Sequence, residues 1–268
     1  MPYTLVFLRH GQSEGNVGSG LVEECKLDQI PREIFGVSGW QWRLTPLGVW
    51  QAQEADLWIR ANIGIDFTAG FVSEYIRTME TAGYIGNFPE GFWRPSIYLR
   101  ERDYGQLDCL PTPDKLAEYH EHIKRRKEDR QFWSAANGES IAQAQFRMDR
   151  LNSTLSRECR NGKVIVVSHG EAILADMMNR LRIDVAGFQE MTDRHDPLLK
   201  MKNCQVLEYT RVDPFTGKVS NQFKWLRSIC PWDPPSDPMS AWQEIKTSKP
   251  SSQALLERAH KFPRYFRE

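Results

Sequence analysis

An arginine, a histidine and a glycine follow one another in Leu8-Arg9-His10-Gly11-Gln12-Ser13-Glu14-Gly15-Asn16. This short stretch collects an imidazole, a guanidinium, a hydroxyl, an amide and two glycines. Glycines let a bound group approach the backbone closely, and arginine offers a planar fork of donors suited to phosphate oxygens. An imidazole beside that fork can attack phosphorus directly. A second histidine stands in Ser168-His169-Gly170-Glu171, at the opening of an expected helix, where backbone N–H groups favour an anion. Arg77, shortly after Ser73, and Glu101, within Leu99-Arg100-Glu101-Arg102-Asp103-Tyr104-Gly105, complete the inventory. Two histidines, two arginines and one carboxylic acid match phosphoryl transfer through a phosphohistidine. One histidine is the nucleophile, the cationic groups neutralise developing charge, and the acid protonates the leaving alcohol.

Such groups meet only if the chain carries them to one edge of one sheet. Residues 3–8 are a β-branched and aromatic run, read as a buried strand. Residues 163–167 are the strongest strand signal, an apolar run expected of a central parallel strand covered on both faces. Residues 70–72 and 97–99 read as further strands, and 204–210 with 222–226 as a final pair joined through the turn Asp213-Pro214-Phe215-Thr216-Gly217. After the first strand, residues 11–42 carry several glycines and little periodicity, so a long loop is expected. Helices are expected from Pro46 behind the N-cap Thr45, over 76–85, from Thr112 and Pro113 to about residue 130, from the Ser140–Gln143 capping box, over 171–181, and around 253–260. Strand–helix alternation gives an α/β fold, a three-layer α/β/α sandwich with a mostly parallel central sheet. All four reactive segments fall at or just after the carboxyl end of a strand, where open α/β sheets bind ligands. Residues 1–230 form the expected domain. Pro231, Pro234, Pro235 and Pro238 open a Pro-rich extension over 231–268, packed on the domain or partly mobile.

Composition removes several other functions. The chain has 268 residues, with 35 basic and 35 acidic side chains and a formal net charge of zero. That balance argues against coating nucleic acid or a membrane surface. The first apolar run, residues 5–8, is too short for a signal peptide or membrane span. Five scattered cysteines with no CxxC pair argue against a disulfide framework or a cysteine zinc site, and for a reducing, cytoplasmic setting. His10, His169 and Glu101 could in principle ligate zinc, but two arginines in the same pocket repel a cation and attract an anion, so no metal is expected. The run from His122 to Lys127 is flanked by Glu118, Glu121, Glu128 and Asp129 and reads as a solvated helix face. His120, His122, His195 and His260 carry no such context, and Cys204 has no catalytic partner in sight.

Taken in chain order, these motifs resemble the histidine phosphatase superfamily, in its phosphoglycerate mutase-like branch with the Arg-His-Gly signature. The resemblance spans about residues 3–210. It places the nucleophile at His10, phosphate-binding groups at Arg9, Ser13, Asn16, Arg77, His169 and Gly170, and the proton donor at Glu101. Ser73, Arg77, Thr81 and Ala82 hold the family spacing, and Gly138-Glu139-Ser140 resembles a mutase-branch segment. Glu101 to Gly105 is close to the cofactor-dependent mutases, and Arg125-Arg126 is similar to their substrate-covering arginine pair. However, residues 17–43 are longer than in mutases, contain Gly39-Trp40-Gln41-Trp42, and lack the mutase signature. Leu44-Thr45 with Gly48, Gly138-Glu139-Ser140 and Asn203 look more like mutase-like phosphatases. The resemblance thus implies a phosphatase of small phosphorylated metabolites, metal-independent, with no nucleic-acid or membrane partner and no assigned oligomeric state. Two alternatives stay open: a phosphoglycerate mutase, which would use 2,3-bisphosphoglycerate as cofactor, and a non-catalytic phosphate-binding scaffold.

Overall fold

A computed structural model describes residues 1–234, 239–247 and 249–266. Its sheet comprises β1 (Thr4–Arg9), β2 (Ala69–Ser73), β3 (Trp93–Ser96), β4 (Lys163–Ser168), β5 (Val206–Thr210), β6 (Trp225–Ile229) and β7 (Gln243–Glu244), in the order β3-β2-β4-β1-β5-β6-β7. β3, β2, β4 and β1 run parallel, and β5 to β7 add antiparallel strands at one side. Among the described residues eight α-helices accompany them: α1 (Glu14–Glu23), α2 (Pro46–Asn62), α3 (Ile76–Tyr84), α4 (Leu116–Glu128), α5 (Ile141–Glu158), α6 (Gly170–Leu181), α7 (Val185–Asp193) and α8 (Ser252–Ala259).

Alternation along the strands divides the core into two layers. Leu5, Phe7, Phe71, Val164, Val166 and Leu207 meet Met148, Leu151 and Leu155 of α5 and Ile173 of α6 on one face. Val6, Leu8, Val72, Ile165, Val167 and Val206 meet Ala52, Ala55 and Ile59 of α2 and Ala82 of α3 on the other. The result is the three-layer α/β/α sandwich, and β4 is its covered central strand. Register then fixes the site. Leu8 pairs with Val167 and Arg9 with Ser168, so His10 and His169 leave the sheet side by side. Val72 also pairs with Val167, which sets Ser73 level with Ser168.

Several local expectations are corrected. Residues 14–23 are helix α1 rather than loop, opened by a reciprocal capping box between Ser13 and Asn16. Glycine lowers helix propensity, but here close packing selects it: a Cβ on Gly15 would meet the Trp42 ring at 1.9 Å, and one on Gly18 would meet Leu110 at 2.3 Å. The strand expected at 97–99 is a 3-10 turn, Ile97–Leu99, and the true strand β3 precedes it. Pro95 hides β3 from pattern reading, yet a proline is tolerated on an edge strand such as this one. α4 starts at Leu116, behind the 3-10 turn Pro113–Lys115, and α7, capped by Asp184, was not anticipated. β6 lies three residues beyond its expected place, because Lys224 N–H closes the β5 ladder only at Thr210 O, 3.1 Å away.

Past residue 230 the described chain stays against the sandwich as far as Ile245, whereas residues 249–266 are exposed apart from the half-buried Ala254. Trp232 Nε1 donates to Asn203 O at 2.6 Å, Met239 and Ile245 enter the core, and β7 pairs with β6. α8 matches its expected position; Pro235 and Pro238 lie outside the described residues. Among the described residues no helix is long and apolar enough to cross a membrane.

Candidate active site

The loop after β1 is clamped from three sides. His10 N–H donates to Ser168 O at 3.0 Å, extending the β1–β4 ladder by one bond. Its carbonyl accepts from Cys204 N–H at 3.2 Å and from Asn203 Nδ2 at 3.1 Å. Gly11 N–H donates to Thr81 Oγ1 at 3.1 Å, and the Thr81 hydroxyl donates to Arg77 O at 2.7 Å, tying the loop to α3. A Cβ on Gly11 would lie 2.3 Å from Gly48 O, so only glycine fits there.

The His10 ring is 2% exposed. Its Nδ1 lies 2.6 Å from Gly11 O, an acceptor only, so Nδ1 carries the proton and Nε2 presents a lone pair. That lone pair accepts from Arg77 Nε at 3.1 Å. Burial, then the charges of Arg77 and Arg9, hold the His10 pKa well below the ordinary imidazole value, which keeps the ring neutral and nucleophilic.

His169 caps the start of α6, with its ring centroid 5.1 Å from that of His10 and 5.0 Å from that of Tyr75. Its Nε2 is 2.8 Å from Ser73 Oγ. Burial first, and then the neighbouring Arg77 charge, push its pKa far down as well. Arg77 bonds the Gly39 carbonyl and lies 4.8 Å over the Tyr75 ring. Arg9 bonds the Met201 carbonyl, and its Nε lies at ordinary contact distance, 3.5 Å, from where a Cβ on Gly170 would stand. Burial lowers the pKa of both arginines from the ordinary guanidinium value. Arg9 Nε and His169 Nδ1 are buried without a hydrogen-bond partner among the described residues.

Glu101 stands at the start of α6. Its Oε1 accepts from the backbone N–H of Arg102 at 2.9 Å, Glu171 at 3.2 Å and Ala172 at 3.3 Å. Those bonds favour the carboxylate, as do Arg77 and Arg9. Desolvation, followed by the negative charge of Glu171, outweighs them and raises the pKa above the ordinary glutamate value. The arrangement can therefore donate a proton.

Arg9, His10, Arg77, Glu101, His169 and Gly170 thus converge as the sequence reading requires. Ser13 and Asn16 stand one step back. Ser13 donates to Asn16 Oδ1 from its N–H at 3.1 Å and its hydroxyl at 3.2 Å, and Asn203 Nδ2 donates to the same oxygen at 3.1 Å. Both residues brace the loop by capping α1. Tyr75, the Gly39 and Met201 carbonyls, and the role of Ser73 as partner of His169 were not anticipated; backbone carbonyls leave no trace in residue type. Trp42 packs on Gly15, while Trp40 is 46% exposed. Among the described residues no group of three or more His, Cys, Asp or Glu side chains is placed to hold a metal ion.

Fold and site define an α/β sandwich whose sheet edge gathers two buried histidines, the buried Arg77 and the half-buried Arg9 around one acid. The chain matches the histidine phosphatase superfamily (branch 1) over residues 5–199, and it belongs to that superfamily, whose members are phosphatases and mutases. A 2,3-bisphosphoglycerate-dependent phosphoglycerate mutase of Allorhizobium ampelinum is 32% identical over 187 residues, 66% of this chain and 79% of that one. The solved mycobacterial glucosyl-3-phosphoglycerate phosphatase aligns with a TM-score of 0.58 at 25% identity, over 78% of this chain and 91% of that one. The phosphoserine phosphatase of Entamoeba histolytica shares the fold, with a TM-score of 0.52 at 20% identity over 82% and 95%.

Proposed function

We propose that the protein is a metal-independent phosphatase that hydrolyses phosphate monoesters through a phosphohistidine on His10. The observation carrying this reading is the His10 ring itself: neutral, oriented by Gly11 O through Nδ1, with Nε2 facing Arg77. A bound phosphate would draw Arg77 from Nε2 onto a non-bridging oxygen, freeing the lone pair. Arg9 and His169, each with a buried unpartnered nitrogen, would take further oxygens. His10 Nε2 then forms a bond to phosphorus as the bond to the ester oxygen breaks, and Glu101 gives its proton to that oxygen. The Glu101 carboxylate next takes a proton from water, whose oxygen attacks phosphorus and releases His10 and inorganic phosphate. The guanidinium groups of Arg9 and Arg77 supply the positive charge that a metal ion supplies elsewhere.

Turnover of p-nitrophenyl phosphate, quenched in base, should leave phosphate on His10 and nowhere else by peptide mass spectrometry. Prolonged chelation should leave the rate unchanged. Activity restored by zinc after chelation, or a phosphoryl group on another residue, refutes the mechanism. The relatives named phosphoglycerate mutases favour a second reading, in which phosphohistidine returns the group to a bound sugar acid. Interconversion of 2- and 3-phosphoglycerate with 2,3-bisphosphoglycerate, faster than any hydrolysis, would establish that reading instead.

A further inference from the structure

Glu171 is a buried carboxylate that the phosphohistidine mechanism does not use. It follows Gly170 at the start of α6, and its own N–H donates to Glu101, so it stands directly beside the proton donor. Its side chain is 12% exposed and meets three partners from distant segments. Arg126 Nη2 of α4 lies 2.8 Å from Oε1, and the Tyr104 hydroxyl 2.6 Å from Oε2. Arg102 Nη1 lies 3.4 Å from Oε2, with a side chain only 1% exposed. The remaining donors of Arg102 go to the Glu139 and Trp133 carbonyls. Arg126 stacks on Tyr104, its guanidinium 5.2 Å from the ring centroid.

Other cations near Glu101 are also engaged. Arg147 pairs with both oxygens of Glu139, at 2.7 and 2.8 Å, and reaches the Tyr98 and Glu101 carbonyls. Arg100 Nε turns back onto Ile97 O at 3.3 Å. Where the alcohol half of a substrate leaves, the arginines are thus committed to internal partners. A carboxylate or second phosphate arriving there would have to compete with Glu171 for Arg126 and would sit beside a like charge.

Resting on the phosphatase reading, we propose that Glu171 is the residue that sets charge selectivity at the leaving-group end. By occupying Arg126 and Arg102 it directs the enzyme to phosphate monoesters whose alcohol carries no second anion. Glycerol 3-phosphate, with two free hydroxyls, fits this class; 3-phosphoglycerate, of nearly the same size but carrying a carboxylate, does not. Phosphoethanolamine, with a cationic alcohol, is tolerated.

The test compares these three compounds twice, as kcat/KM in otherwise wild-type enzyme and as Kd by calorimetry in a His10→Ala background, where nothing turns over. The parent should favour glycerol 3-phosphate over 3-phosphoglycerate in both. Glu171→Gln frees Arg126 to take a carboxylate, and the ratio of 3-phosphoglycerate to glycerol 3-phosphate should rise roughly tenfold, the scale of one charge-assisted hydrogen bond. Arg126→Gln, at a side chain 30% exposed and so tolerant of change, should shift selectivity several-fold toward phosphoethanolamine, and it serves if Glu171→Gln fails to fold. Ratios unmoved by either variant, or a parent preferring 3-phosphoglycerate, overturn the proposal. Absent turnover with the expected Kd pattern would instead refute the phosphatase reading alone.

Discussion

The two ends of the site are built on opposite principles. At the phosphate end, His10, Arg77 and His169 are buried and Arg9 half-buried, with no acidic partner hydrogen-bonded to any of them, and their positions come from strand termini in fixed register and from the first turn of α3. At the leaving-group end, Glu171, Arg102, Arg126 and Glu139 pair with one another or with Arg147, and their positions come from the 100–130 segment, the turn before α5 and the start of α6. Burial lowers the pKa of both arginines against the opposing pull of the Glu101 charge, and guanidinium groups desolvated without a hydrogen-bonded acid hold an energetic deficit that a dianion relieves. A paired network holds no such deficit. The first end is therefore built to demand a charge, and the second to be indifferent to one or to refuse it.

The sharpest way to break this contrast is to remove the nucleophile. His10→Ala should keep its circular dichroism and lose turnover by a factor on the order of a thousand or more. Near-normal rates in that variant would dissolve the phosphate end as described. Glu101 joins the two ends, and Glu101→Gln separates their roles. Hydrolysis of glycerol 3-phosphate, whose alkoxide must be protonated, should fall by about a hundredfold. p-Nitrophenyl phosphate, whose anion leaves without a proton, should lose far less. Equal slowing of both esters would take Glu101 out of proton donation.

The contrast also governs what could be read in advance. Arg9, His10 and His169 were legible because a long apolar strand points to each of them, and the strand pattern survives in one sequence. The three layers were legible for the same reason. α1 was not, since Gly15 and Gly18 spoil its propensity and are chosen by Trp42 and Leu110, which lie far along the chain. β3 was lost to Pro95, harmless only because that strand is an edge. The leaving-group end was the least legible: Arg126 and Tyr104 reach Glu171 across 45 and 67 residues, and no local spacing encodes such a meeting.

Rigidity offers a further, smaller measure of the phosphate end. Gly11 and Gly48 face each other backbone to backbone, and a Cβ on Gly48 would come within 2.0 Å of Gln12 O. Gly11→Ala forces those segments apart, where no flexible side chain can yield. It should destabilise the protein by about 1–3 kcal/mol, as overpacking does, and weaken inhibition by vanadate, a mimic of pentacoordinate phosphorus. A variant of parental melting temperature and vanadate affinity would show that the loop has slack.

The smallest expected effect links the two ends through pH. Turnover needs neutral His10, hence a pH above its depressed pKa, and protonated Glu101, hence a pH below its raised one. The groups acting on Glu101 are Glu171, whose charge raises its pKa after desolvation, and Arg77 and Arg9, which lower it. His10 answers to desolvation, then to Arg77 and Arg9, with the hydrogen bond to Gly11 opposing them. Glu171→Gln removes the repulsion felt by Glu101 but keeps the backbone N–H bond to its carboxylate. Glu101 then loses its proton at lower pH, so the basic limb of the kcat/KM profile for glycerol 3-phosphate should move toward acid. The acid limb, set by His10, should stay where it is. A parallel displacement of both limbs would mean that the variant disturbs the whole pocket, and an unmoved basic limb would mean that Glu171 and Glu101 do not feel each other.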